Sequence, residues 1–201
     1  MLDGTLRRFI DPPLDRLSLR LVRAGISANA MTLGGFAVGL LSLPLLAVGA
    51  YGGALVAILI NRLADGLDGA IARRRGASDL GGYLDIVCDF MFYGAVVFGF
   101  ALAAPDNGLP AAFLLLAFIG TGGSFLAFAA MAARRKIETR SRGPKSLYYL
   151  GGLTEGTETI AFFVACCIFP GAFVPLAWTF AAACWITTIT RVLSAWRMLG
   201  P

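Results

Sequence analysis

Six long apolar runs, at 30–50, 53–71, 82–104, 110–133, 147–169 and 173–193, alternate with short polar stretches along the chain. Each run is near the ~20 residues that a helix needs to cross the hydrocarbon core of a bilayer. The runs are continuous, without the roughly ten-residue alternating segments of a membrane barrel. The pattern predicts an all-α membrane protein with six transmembrane helices. Residues before the first run follow another rhythm: Leu6, Phe9, Ile10, Leu14, Leu17 and Leu21 recur at spacings of three and four, with arginines between them. That spacing predicts an amphipathic juxtamembrane segment over 1–24, lying on the membrane surface and broken into two pieces by Pro12 and Pro13. No repeat, linker or low-complexity tract interrupts the remainder, so 25–201 reads as a single transmembrane domain. Asp3, Asp11, Asp15 and five arginines precede the first apolar run, which is not the make-up of a cleavable signal peptide.

Composition supports the same class. The 201 residues are 58% hydrophobic, with a mean hydropathy of +0.76, more apolar than a soluble domain. Positive charge is distributed asymmetrically. Arg7, Arg8, Arg16, Arg20 and Arg23 lie before the first run, Arg73, Arg74 and Arg75 follow the second, and Arg134, Arg135, Lys136, Arg140, Arg142 and Lys145 follow the fourth. The stretches 49–52, 105–109 and 170–171 carry no lysine or arginine. By the positive-inside rule both termini and the loop after the second run face the cytoplasm. The net charge of +5 then follows from this bias and from anionic headgroups, with no nucleic-acid partner required.

Against this background the acidic residues stand out. Asp65 and Asp68 close the second run, and Asp85 and Asp89 open the third; each pair shares one helical face. If the two helices form an antiparallel hairpin about a turn over 73–80, Asp68 and Asp65 sit roughly 7 and 12 Å in from Arg73, and Asp85 and Asp89 roughly 7 and 13 Å in from Leu80. All four carboxylates meet at one depth. Arg62 and Arg73 can neutralise part of that charge while Arg74 and Arg75 reach headgroups, but two cations do not balance four acids. The chain has no histidine, which excludes Ser-His and Cys-His nucleophiles and histidine-bound zinc. A set of carboxylates suits a hard divalent cation, magnesium, manganese or calcium, with substrate phosphates in its shell. Cys88, Cys166, Cys167 and Cys184 fall inside apolar runs without metal-type spacing and read as packing residues.

The stretch 65–89 reads D-x-x-D-G-x-x-A-R, seven residues, then G-x-x-x-D-x-x-x-D. In this it resembles the CDP-alcohol phosphotransferases, with all eight signature positions filled by Asp65, Asp68, Gly69, Ala72, Arg73, Gly81, Asp85 and Asp89. The segment 26–33, Ile-Ser-Ala-Asn-Ala-Met-Thr-Leu, is similar to the Ser-Pro-Asn-x-x-Thr start of that family's first span, with Ala28 where proline is usual. The stretch 145–152, Lys-Ser-Leu-Tyr-Tyr-Leu-Gly-Gly, is similar to one in small bacterial members.

The resemblance implies transfer of a phosphatidyl group from a CDP-linked lipid, commonly CDP-diacylglycerol, to an alcohol with release of CMP, at the cytoplasmic face of a bacterial inner membrane and in a homodimer. It implies that Asp65, Asp68, Asp85 and Asp89 hold Mg2+ or Mn2+, expected as two ions, and that Asp89 is also the base for the acceptor hydroxyl. Asp68, Gly69, Ala72, Arg73 and Gly81 would bind the CDP portion. Two acceptor classes remain open. Arg142, Lys145 and Arg191 could converge on the phosphate of glycerol 3-phosphate or an inositol phosphate. Glu155 and Glu158, with Tyr148 and Tyr149, could receive serine, ethanolamine or choline. The three cations tip the reading towards a phosphorylated acceptor. An intramembrane prenyltransferase would carry two separate acidic motifs, and a cation transporter would place its acids at the midplane; neither matches this hairpin.

Overall fold

The computed structural model describes residues 3–135 and 152–200, and the described residues are helical with no strand. In order they form α1 (Asp3–Arg23), α2 (Ala28–Leu40), α3 (Ser42–Ala47), α4 (Tyr51–Arg75), α5 (Asp79–Ala103), α6 (Gly108–Arg134), α7 (Gly156–Ile168) and α8 (Phe173–Leu199), with one-turn 3-10 segments leading into α6 and α8. Four stretches are long and apolar enough to cross a membrane: Ala28–Ala47, Asp79–Ala103, Pro105–Arg134 and Pro170–Leu199. The second predicted run, within α4, falls outside this group because it carries Arg62, Asp65, Asp68 and three terminal arginines. The fifth, predicted over 147–169, is helical only over Gly156–Ile168 among the described residues; at 1.5 Å per residue α7 is about 20 Å long, shorter than the ~30 Å hydrocarbon core.

Local chemistry sets the boundaries. Ser27 caps α2 by accepting the Ala30 N–H at 3.1 Å. The first run divides at Leu41, between α2 and α3, because Pro44 lacks an N–H and its ring opposes the carbonyl four residues earlier. The expected turn over 73–80 is tighter. α4 continues through Arg75, whose charge favours a helix C-terminus, Gly76 turns the chain at φ +98°, and Ser78 caps α5 through the Gly81 N–H. The N-terminal segment differs from expectation as well: α1 runs unbroken through Pro12 and Pro13. Proline's fixed φ is itself helical, and both rings face outward, so only backbone hydrogen bonds are lost.

α4 and α5 do not form a close-packed hairpin. Their backbones scarcely approach one another, and both pack on α2 and α3, while α4 also receives α1 and α7 and α6 pairs with α8. Between helices in lipid, association depends on close van der Waals fit and hydrogen bonds, because the tails are as apolar as the side chains. Gly35 and Gly39, one turn apart on α2, supply that fit. A methyl group at Gly35 would collide with Ala64, and one at Gly39 would lie 2.9 Å from both Asn61 and the Phe92 ring. The buried apolar core lies beyond the acidic end, where Phe100 stacks on Phe173 at 4.7 Å and Phe162 on Phe180 at 4.7 Å. Ile119, Val56, Leu109 and Trp196 are exposed on the outside, as lipid-facing side chains should be.

The α3–α5 crossing depends on Gly99, where an added Cβ would stand 2.9 Å from the Leu46 side chain and 3.0 Å from the Leu43 carbonyl. Gly99→Ala should destabilise the bundle by about 1–3 kcal/mol, read as a lower thermal midpoint in detergent. Gly94→Ala, whose Cβ meets nothing within 4 Å, should not.

Candidate active site

The splay between α4 and α5 leaves a gap into which both helices turn their acids. One oxygen from each of Asp65, Asp68 and Asp85 falls within 4.8 Å of the others. A hard cation about 2.1–2.4 Å from each ligand needs oxygens no further apart than about twice that, so the group fits one divalent ion. Asp68 is buried at 6% exposure. Thr32 on α2 holds it: its Oγ1 lies 2.5 Å from Asp68 Oδ2 and 3.0 Å from the Ala28 carbonyl. Asp65 is half-buried and Asp85 exposed, so the group is closed on the α2 side and open beside α5.

Asp89 lines the same small cavity but lies outside the three-acid group. Its Oδ1 accepts from Arg62 Nη2 at 2.7 Å, and the Tyr93 hydroxyl lies 3.4 Å from Oδ2. Arg62 also stands 3.6 Å from Asp65. The Asn61 side chain accepts from Arg62 Nε at 2.9 Å and donates to the Gly35 carbonyl at 3.0 Å, which links the arginine back to α2.

Gly69 and Ala72 are half-buried near the end of α4; a Cβ at Gly69 would meet only the Arg73 guanidinium, at 3.5 Å. Gly81 lets the start of α5 approach Asn29, whose Oδ1 would be 3.1 Å from an added Cβ. Arg73 is exposed and 3.8 Å from Asp15 of α1. Arg74 and Arg75, expected to reach headgroups, bond α1. Arg74 donates to Ser18 Oγ at 2.9 Å and to the Asp15 carbonyl at 3.1 Å, and Arg75 donates to the Val22 carbonyl at 2.7 Å. These bonds and Leu14, seated against Gly66, fasten α1 along α4.

On the other side of Asp85 and Asp89 a cleft of about 290 Å³ reaches to Arg191, Thr121, Thr154 and Glu155. Arg191 is 7% exposed, donates to the Thr121 carbonyl at 2.9 Å and lies 5.6 Å over the Phe125 ring. Glu155 is not inside a helix, as the run predicted over 147–169 implied: it is the N-cap of α7, and with Glu158 it forms a capping box in which each side chain bonds the other's backbone. Arg142, Lys145, Tyr148 and Tyr149 lie outside the described residues. All four cysteines are buried and free, Cys88 beside the acids.

Thr32, Asn61 and Tyr93 were not among the expected site residues. Their signals were present: Asn61 lies one turn before Asp65, Tyr93 one turn after Asp89, and Thr32 closes the 26–33 motif. Removing the Thr32 hydroxyl should loosen Asp68 without emptying the core. Thr32→Val is expected to weaken divalent-cation binding by about 10–100-fold, measured by calorimetric titration, at an unchanged helical content.

The sequence profile of the CDP-alcohol phosphatidyltransferase family matches residues 25–196. The inner membrane protein YnjF of Escherichia coli strain K12 is 56% identical over 200 residues, covering 99% of this chain and 97% of YnjF. The archaetidylinositol phosphate synthase of Pyrococcus horikoshii is 28% identical over 195 residues, 96% of each chain. Among solved structures, phosphatidylinositol phosphate synthase of Mycobacterium tuberculosis in complex with manganese and citrate superposes with a TM-score of 0.72 at 23% identity, covering 91% of this chain and 88% of that one. The same enzyme with CDP-DAG bound gives a TM-score of 0.66 at 24% identity over 91% and 93%. With the profile spanning nearly the whole described bundle and the signature acids gathered in one cavity, the chain is an integral membrane member of the CDP-alcohol phosphatidyltransferase family.

Proposed function

We propose that this protein moves the phosphatidyl group of CDP-diacylglycerol to a phosphorylated alcohol, with an inositol phosphate or glycerol 3-phosphate as acceptor, and releases CMP. The observation that carries the reading is the junction at Asp85 and Asp89: the acidic cavity meets, there, a cleft whose buried cation is Arg191. A donor with a pyrophosphate and an acceptor with its own phosphate would need two such neighbouring compartments. The inositol-phosphate chemistry in the names of the Pyrococcus and Mycobacterium enzymes supports the acceptor class.

Asp65, Asp68 and Asp85 would hold the divalent ion, Mg2+ or Mn2+, and the solved Mycobacterium enzyme with manganese supports that choice. When bound, the ion supplies Lewis-acid neutralisation of the transferring phosphoryl oxygens. The protein's own groups do the rest. Gly69, Ala72 and Gly81 leave room for the cytidine, and Arg73 contacts the donor phosphates. Arg191, with Arg142 and Lys145, would hold the acceptor phosphate. Asp89 takes the proton of the acceptor hydroxyl as the new O–P bond forms and the pyrophosphate P–O bond breaks, so CMP leaves with the cleaved oxygen. An amino-alcohol acceptor loses support because Glu155 and Glu158 are engaged in capping α7.

In this reading α4 and α7 complete six crossings as one catalytic unit from residue 25 to the C-terminus, α1 lies on the cytoplasmic surface, and both termini and the site face the cytoplasm of a bacterial cell, in a homodimer. The positive-inside distribution supports the orientation, and the similarity to YnjF supports the inner membrane.

Purified protein given CDP-diacylglycerol, a divalent cation and the right phosphorylated alcohol should release CMP, and a chelator should stop it; chelator-insensitive turnover would overturn the metal mechanism. Asp68→Asn should weaken donor binding and turnover together, whereas Asp89→Asn should cut turnover far more than donor affinity. Near-normal turnover in the Asp89 variant would mean another base operates.

Arg191→Gln should raise the acceptor KM strongly at nearly unchanged donor affinity, a loss of about 2–3 kcal/mol. Control of acceptor KM by Glu155→Gln, with Arg191 indifferent, would instead indicate an amino alcohol.

A further inference from the structure

We propose that Gly152 is a positioning residue for the acceptor: by carrying no side chain it lets the chain entering α7 close against α8 and hold the Arg191 guanidinium where it meets the cleft. The inference rests on the reading above, in which Arg191 takes the acceptor phosphate. Gly152 ends the 145–152 stretch of the sequence. It is half-buried, three residues before the Glu155 N-cap of α7.

Two side chains of α8 occupy the space that a Cβ at Gly152 would need. It would collide with Thr187 Cγ2, and it would stand 3.2 Å from Arg191 Nη2 and 3.5 Å from Arg191 Cζ. Thr187 and Arg191 are one turn apart and share a helical face. Non-bonded heavy atoms rest about 3.5–4.0 Å apart, so a methyl group at 152 presses on the guanidinium as well as on the threonine.

Hydrogen bonds leave the chain little slack to move away. Thr187 is fully buried. Its hydroxyl donates to the Ala183 carbonyl at 3.1 Å, and its oxygen receives the Thr154 N–H at 3.0 Å and the Thr154 hydroxyl at 2.9 Å. The Gly152 N–H donates to Glu155 Oε1 at 3.2 Å. The stretch 152–155 is thereby fastened both to α8 and to the start of α7.

α6 supplies the other neighbours of the guanidinium. Nη1 donates to the Thr121 carbonyl at 2.9 Å, and the Phe125 ring lies 5.6 Å from Cζ. With Nη1 held by α6 and Nη2 backed by Gly152, the planar fork has one orientation, and such a fork grips a phosphate only when its N–H groups are aimed at the oxygens. A methyl group behind Nη2 would turn the fork or break its bond to Thr121. Gly152 touches no substrate in this reading; it acts through Arg191.

CMP release by the full chain in detergent micelles, with CDP-diacylglycerol, Mn2+ and either glycerol 3-phosphate or an inositol phosphate as the varied acceptor, tests the assignment. Gly152→Ala should raise the acceptor KM by about tenfold, with kcat and donor KM close to wild type. If the glycine serves packing alone, the thermal midpoint falls while the acceptor KM stays put, and that result overturns the inference. The double variant Gly152→Ala/Thr187→Ser removes the Cγ2 that the new methyl would strike and keeps the hydroxyl that receives Thr154, so the pressure on Arg191 remains. It should retain the raised acceptor KM, and it decides the question if Gly152→Ala does not fold; a wild-type acceptor KM in the double variant overturns the inference. An acceptor KM raised by Arg191→Gln but by neither Gly152 variant would sink the positioning role and leave the acceptor reading intact. An acceptor KM unmoved by Arg191→Gln, or no CMP release with either acceptor, would sink that reading and this inference with it.

Discussion

Charge inside an apolar bundle must be answered locally, because neither water nor lipid is there to solvate it. Asp65, Asp68, Asp85 and Asp89 concentrate that demand at one end of α4 and α5, and the surrounding structure is arranged around meeting it. Arg62 answers Asp89 and, at longer range, Asp65; the Thr32 hydroxyl answers Asp68. Asn61 in turn satisfies Arg62. Asp85 is left exposed, and this is the side on which the cavity meets the larger cleft. An exposed carboxylate, next to three that buried groups answer, suits a site that receives a cation and a phosphate.

The apolar half of the molecule lets the polar half be this demanding. Aromatic stacks among Phe100, Phe162, Phe173 and Phe180 fill the bundle away from the acids and fix the helix positions by shape. The N-terminal helix contributes from outside: with Arg74 and Arg75 bonded to its backbone and side chains, the basic end of α4 is held by protein as well as attracted to the membrane surface. These arginines therefore serve tertiary structure.

How much of this could be read from the chain differs between elements. The helical class, the four apolar spans and the acidic signature were legible, because hydropathy and fixed spacing are local properties of sequence. The separation of α4 from α5 was not. Two helices joined by a short turn were expected to pack against each other, and only the glycines at 35 and 39 hint that α2 comes close enough to hold them apart. The start of α7 was misread because apolar residues run on through 147–155, whereas the Glu155 and Glu158 spacing is a capping box that marks the helix start. Arg62 was read as a partner for one carboxylate; its place between two of them depends on a rotamer held by Asn61, Phe92 and Tyr93, which no spacing rule supplies.

One consequence of the splayed arrangement concerns which residues govern the acidic centre. Because α4 and α5 rest on α2 rather than on each other, the distance between their carboxylates is gauged by the thickness of a third helix that contributes no acid. Gly35 and Gly39 act as shims of minimum thickness, and Thr32 and the Gly35 carbonyl transmit α2's position to Asp68 and, through Asn61, to Arg62. Tuning the reach of the centre, for a larger ion or a longer phosphate bridge, is then a matter of α2's surface, and the signature residues themselves need not change.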